Sequence, residues 1–230
     1  KTNNMFQSIK TGVLAVILIS TAIVAHAQKK ITEGTATYTS EYAPTPDQEA
    51  AVAMMPKETK TKFSGNLLNV SFETGPAIIS VTQDFVTLDG LTLIDVPVAQ
   101  MQFAVKTDKA AYEKEMAEFP KFSEFKATGE KKMIGVYNTE KYTYKDNKGG
   151  AYELWATTDI ELPVGFFGPE FKDVKATLVK YTAYQQGGVK ATMTLKSISE
   201  DKVGKLSLEV PKGYEVKTMD ELKAMQGGGE

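Results

Sequence analysis

Apolar side chains recur at every second position through most of this chain, and that period limits its fold more than any other feature. Between residues 57 and 106, Leu68, Val70 and Phe72 share one face of an extended segment, as do Met101, Phe103 and Val105. A helix would need apolar residues three and four apart, so the pattern specifies strands. Turn signals at Ser64-Gly65-Asn66, Thr74-Gly75-Pro76 and Asp89-Gly90 separate the runs, which predicts an antiparallel meander. Ile78, Ile79, Val81, Val86 and Leu88 carry apolar groups on both sides, the pattern of a strand covered on both faces.

The same period continues on either side. Residues 35–42 alternate Ala36, Tyr38, Ser40 and Tyr42 with Thr35, Thr37, Thr39 and Glu41, a half-buried strand. Residues 136–145 and 151–157, rich in Tyr, Thr and Trp, flank Asp146-Asn147-Lys148-Gly149-Gly150, where glycine supplies the positive φ of a tight hairpin loop. Residues 122–128 add a strand before it. A final meander is expected from residues 175–184, 189–198 and 206–210, with turns at Gln186-Gly187-Gly188 and 201–204. Helices are few and short. Thr45-Pro46-Asp47-Gln48 is a capping signal for a helix reaching about Met54. Asp108 caps a second helix over 109–119, with Tyr112, Met116 and Phe119 on one stripe and Pro120 as its stop. Thr218-Met219-Asp220-Glu221 opens a third, with Met219, Leu222 and Met225 inward, before a frayed Gly227-Gly228-Gly229 end. The class is mainly β, with an α+β character.

Residues 5–27 read as a secretory signal: Lys10 supplies positive charge, residues 13–25 are apolar, and Ala25-His26-Ala27 fits the cleavage pattern. The apolar run is shorter than the roughly 20 residues a spanning helix needs and is broken by Ser20 and Thr21, which disfavours an anchor. Cleavage after Ala27 gives a periplasmic or secreted chain beginning at Gln28, with residues 1–4 upstream of Met5. Residues 28–226 are then expected to form one domain.

Composition removes several chemistries. There is no cysteine, so neither a disulfide framework nor a thioether lipid anchor can form. The one histidine, His26, lies in the signal, so Ser-His-Asp and Cys-His catalysis and the usual zinc sites are excluded from the mature chain. All 27 basic residues are lysine; removing Lys1 and Lys10 leaves 25 against 29 acids, a net charge of −4. Without arginine forks or lysine clusters, nucleic-acid recognition and a basic membrane-docking face are not expected. No cofactor or metal is expected, and membrane association is peripheral at most.

The order strand, short helix, long meander, helix, hairpin, loop, meander resembles an exported family of Gram-negative bacteria known as domain of unknown function 4412, near the GLPGLI group. The likeness is carried by the signal ending Ala25-His26-Ala27-Gln28, by Met54-Met55-Pro56 before Lys62-Phe63-Ser64-Gly65-Asn66, and by Thr128-Gly129-Glu130 through Ile134-Gly135-Val136-Tyr137. It continues in Tyr152-Glu153-Leu154-Trp155-Ala156-Thr157 and Val210-Pro211-Lys212-Gly213-Tyr214. Where the GLPGLI string would fall, this chain has Glu161-Leu162-Pro163-Val164-Gly165-Phe166. The resemblance implies a half-barrel like that of the LolA and LolB lipoprotein carriers: a strongly curved antiparallel sheet covered by two or three short helices, with room for an acyl chain. No motif residue of the carriers transfers to a position here.

Under that architecture the candidate ligand-binding residues are Met54, Met55, Met101, Phe103, Tyr112, Met116, Trp155, Phe166 and Phe167. Methionine adapts to irregular apolar partners, although core packing accounts for the same residues. Adjacent aromatics in an extended loop cannot point one way, so one of Phe166 and Phe167 is expected outside as a contact or lid. Asp159, Glu161, Glu170 and Asp173 surround that loop and read as solvated charges rather than a calcium site. The leading expectation is a non-catalytic protein binding an apolar ligand, lipid or lipidated partner. An envelope interaction or structural module using the aromatic loop or a sheet edge is the alternative, and a carboxylate- or metal-dependent enzyme comes third.

Overall fold

The computed structural model describes residues 28–185 and 188–227. Residues 1–27, which include the expected signal, Gln186-Gly187 of one expected turn, and residues 228–230 lie outside the described residues.

The described residues open with β1 (Lys29–Lys30) and β2 (Glu33–Ala43), followed by a short helix α1 (Glu49–Val52). A meander of β3 (Glu58–Ser64), β4 (Leu67–Thr74), β5 (Ala77–Asp84), β6 (Gly90–Val96) and β7 (Met101–Thr107) leads to α2 (Lys109–Met116). Then come β8 (Phe122–Ile134), β9 (Tyr137–Asp146), β10 (Ala151–Thr157) and the two-residue β11 (Ile160–Glu161). After an irregular loop follow β12 (Thr177–Gln185), β13 (Val189–Ser199), β14 (Glu215–Val216) and α3 (Met219–Gly227).

Twelve of these strands make one curved sheet in the order β14-β7-β6-β5-β4-β3-β2-β13-β12-β10-β9-β8, while β1 and β11 pair separately. Its ladders are antiparallel apart from the parallel β14–β7 pair. The connection from β7 to β8 explains the curvature. These strands lie ten places apart, about 48 Å across a flat sheet at about 4.8 Å per strand. Residues 108–121 must bridge them, and eight of those residues are helical, so their reach is roughly 35 Å. A flat sheet is therefore out of reach, and the strands curl until the two sides approach.

The register puts Tyr38 opposite Leu195, Phe63 opposite Leu68, and Ile79 opposite Ile94, which in turn faces Phe103. Successive pairs of this kind line the inner face. Between Trp155 and Ala156 the β10–β12 register slips, so that both Leu178 and Val179 are buried. On the reverse face Leu91, Thr82 and Ala104 are buried, but Ile78 is largely exposed, so the two-sided cover extends over only part of β5. Val86 and Leu88 belong to the turn after β5, where the Asp84 carboxylate accepts the Val86 and Thr87 N–H groups.

Two further expectations are corrected. Residues 206–210 form no strand: Leu206, Leu208 and Val210 are half-buried, with Leu208 in a groove beside Gly90 and Lys106. Their alternation serves packing, and the last paired strand is β14, eight residues after Leu206–Ser207. The second helix stops at Met116 because its end tightens, Glu118 and Phe119 bonding three residues back to Glu115 and Met116.

Of the two edges, β8 is long but charged and broken by two register shifts, with Glu124 and Gly129 at positive φ. Such an edge resists pairing with another chain. At the centre, β2 approaches β13 so closely that a Cβ on Gly34 would stand 2.1 Å from the Ser199 carbonyl oxygen. Gly34→Ala is expected to cost about 1–3 kcal/mol through overpacking, read as a lower urea midpoint with an unchanged slope.

Candidate apolar site

The loop between β11 and β12, residues 162–176, lies inside the hollow of the sheet. Its entry is set by Thr177, whose hydroxyl donates to the Ile160 carbonyl and accepts the Leu162 N–H. Pro163, Gly165, Gly168 and Pro169 prevent strand pairing, and Gly165 at φ +92 passes close against Phe85 in the turn after β5. The loop delivers three rings. Phe166 packs edge-on against Phe63 at 5.3 Å, Phe167 against Tyr181 at 5.8 Å, and Phe171 against Tyr181 at 5.4 Å. The expectation that one of Phe166 and Phe167 faces outward is therefore corrected. Phe166 is buried and Phe167 half-buried, each ring 5.0 Å from the other, because the tight turns at Gly165 and Gly168 bend the backbone out of the extended form. The large apolar side chain that the loop exposes is Val164.

Beyond this plug, toward β7, the hollow keeps a cavity of about 540 Å³. Its floor is the inner face of the sheet, with Ile79, Ile94, Val96, Met101 and Phe103. Helix α3 forms one wall with Leu222 and Met225, and Met54 reaches over from the segment after α1. The capping box at Thr218 forms as its spacing predicts, Thr218 N–H to Glu221 Oε2 at 2.7 Å and Glu221 N–H to the Thr218 hydroxyl at 3.2 Å. That box and the β14–β7 pair hold α3 where Leu222 packs on Phe103, Val105 and Ile94. Leu222 alone of the three predicted inward positions is buried; Met219 and Met225 are about half exposed. Among the described residues lining the cavity none is charged, and Met54, Met101 and Met225 form a partly exposed rim.

The structure thus brings together Met54, Met101 and Phe103 of the expected residues and separates the others. Met55 is half-buried outside the cavity lining. Tyr112 and Met116 are half-buried on α2, where Tyr112 neighbours Gln83 and Glu170; burial, then the Glu170 charge, push its phenol up to about 12. Trp155 points to the reverse face, since Leu154 and Ala156 on either side of it belong to the inner core. There Lys132 Nζ stands 3.7 Å above its ring, and Lys141, bridging Glu153 at 2.7 Å and Glu130 at 3.4 Å, flanks it. Ile79, Ile94 and Val96 were missed, though the alternation of Leu93, Ile94, Asp95 and Val96 carried the signal. Placing α3 over them needed the β14–β7 pair, which leaves almost no trace in two residues.

The four carboxylates around the loop do not converge. Asp159 accepts the Asn138 N–H at 2.8 Å, Glu161 lies 3.7 Å from Lys30, and Asp173 is exposed. Glu170 corrects the expectation of solvated charge: one of its oxygens is buried without a hydrogen-bond partner, and desolvation raises its carboxyl above the usual range. Asp146 is a turn residue, its carboxylate accepting from Lys148 N–H, Gly150 N–H and the Tyr152 hydroxyl.

Compared with protein-family models and with curated proteins, the chain finds no match in either.

The rings of the plug and its exposed tip make opposite predictions. Phe166→Ala is expected to cost about 3–5 kcal/mol through a buried void. Val164→Ser, two residues away, should stay within about 0.5 kcal/mol of the parent in the same unfolding titration.

Proposed function

We propose that this protein is an exported, periplasmic, non-catalytic binding protein with a LolA-like half-barrel. It holds the acyl chain of a lipid or lipidated partner under α3. The observation that carries the reading is the cavity of about 540 Å³ whose described lining is uncharged and whose rim is three methionines from three separate segments. Its size falls within the range of roughly 300–1,000 Å³ common to small-molecule sites. An ionic ligand buried there would find no counter-charge, which costs binding free energy, whereas a hydrocarbon chain loses nothing polar. Unbranched thioether side chains fit chains of differing length by rotation about single bonds. A polar head group would stay at the rim, in water.

The interaction-module reading looked to the Phe166-Phe167 loop or a sheet edge, and of these the loop has both rings engaged inside the hollow. The apolar-ligand reading has the stronger support.

Native mass spectrometry and lipid extraction of protein purified from a periplasmic fraction test the proposal, together with titration of a fluorescent fatty-acid probe. A bound lipid mass and saturable probe binding are expected. Ile94→Trp, which fills the cavity from the sheet, should weaken probe binding about tenfold or more while circular dichroism stays unchanged. A parent protein that carries no lipid and binds no probe, or a variant that binds it equally well, overturns the reading.

A further inference from the structure

The plug is joined to the sheet in an unusual way. From Phe166 onward its backbone bonds close on the loop itself: Phe166 N–H to Pro163, Gly168 to Gly165, Lys172 to Pro169 and Val174 to Phe171. Ring contacts, not a ladder, hold it in the hollow, so the loop can lift without unpairing any strand of the large sheet. Among those rings sits a carboxyl group. Glu170 folds back over Gly168, where a Cβ would stand 2.4 Å from its Oε2, and that oxygen is buried without a hydrogen-bond partner. Of the ion pairs among the described residues, none includes it.

We propose that Glu170 is a proton-operated latch on loop 162–174: neutral, its carboxyl lets the loop seat in the hollow, and ionised, it drives the loop out.

Burial favours the neutral form of Glu170, opposed in smaller part by its own backbone N–H, and the groups that face it come from several elements. From α2 come Tyr112 and, beyond it, the acidic Glu115; from β12 comes Tyr181, with Tyr144 of β9 behind. From β8, Phe122 and Phe125 pack on the neighbouring Phe171 with no charge to offer. On the loop itself Lys172 and Asp173 are exposed to solvent. Burial raises the carboxyl's affinity for its proton in the seated loop, while a lifted loop returns it to water and its ordinary value. Seating is therefore strongest below the ordinary glutamate range and weakens as pH rises through the raised value. The latch is independent of what the cavity under α3 binds.

Hydrogen exchange measured by mass spectrometry between about pH 5 and about pH 9, corrected for intrinsic rates, tests it on the intact mature chain. Protection of residues 162–174 is expected to fall about tenfold or more with rising pH, while β3 and β4 keep theirs. Glu170→Gln, which keeps shape and removes the charge, should abolish that dependence. Carbon-13 NMR of the wild-type Glu170 carboxyl should give the same midpoint, a readout that needs no variant. Protection that is flat with pH in the wild type, or that falls identically in Glu170→Gln, overturns the latch. So does a Glu170 carboxyl that titrates in the ordinary range.

Discussion

The length of one connection governs this architecture. Residues 108–121 leave one side of a twelve-stranded sheet and must start the strand at its opposite edge. Eight of them are spent in a helix, which advances only about 1.5 Å per residue. The right-handed twist of strands bends the sheet, and this short tie selects how far. Once the sheet is bent, its inner face becomes a hollow, and α2, α3 and the aromatic loop are the material available to fill it.

The filling is uneven, and the unevenness defines the candidate site. Around β2, β12 and β13 the hollow is packed by aromatic rings that meet mostly edge to face, the favoured geometry for such pairs. Toward β7 the cover is a short helix that buries one leucine and leaves its methionines at the rim. Close packing is the ordinary state of a protein interior, so a cavity of about 540 Å³ beside a dense aromatic core sets the two halves of one sheet apart.

Much of this was legible in the residues. The strands of the first meander, the hairpin around Asp146, the capping signals at Asp108 and Thr218, and the shared face of Met101, Phe103 and Val105 all follow from local rules, because alternation and capping depend on near neighbours. What escaped depends on distant contacts. Whether residues 206–210 pair or merely pack, which way Phe166 turns, and that one oxygen of Glu170 is buried are decided by segments far away in sequence. Trp155 shows the limit from the other direction: its strand and its neighbours were readable, but which face of the sheet became the hollow was not.

The place of β2 has a temporal meaning. It lies mid-sheet between β3, its near neighbour in sequence, and β13, which arrives last among the long strands. Thr39 and Thr194, hydrogen-bonded across that seam, are 155 positions apart. A chain made from its N-terminus must therefore keep its first long strand half-paired until almost everything else has been synthesised. Such distant pairing slows folding, and a polypeptide that is late to fold is one that a narrow passage can still admit as a thread.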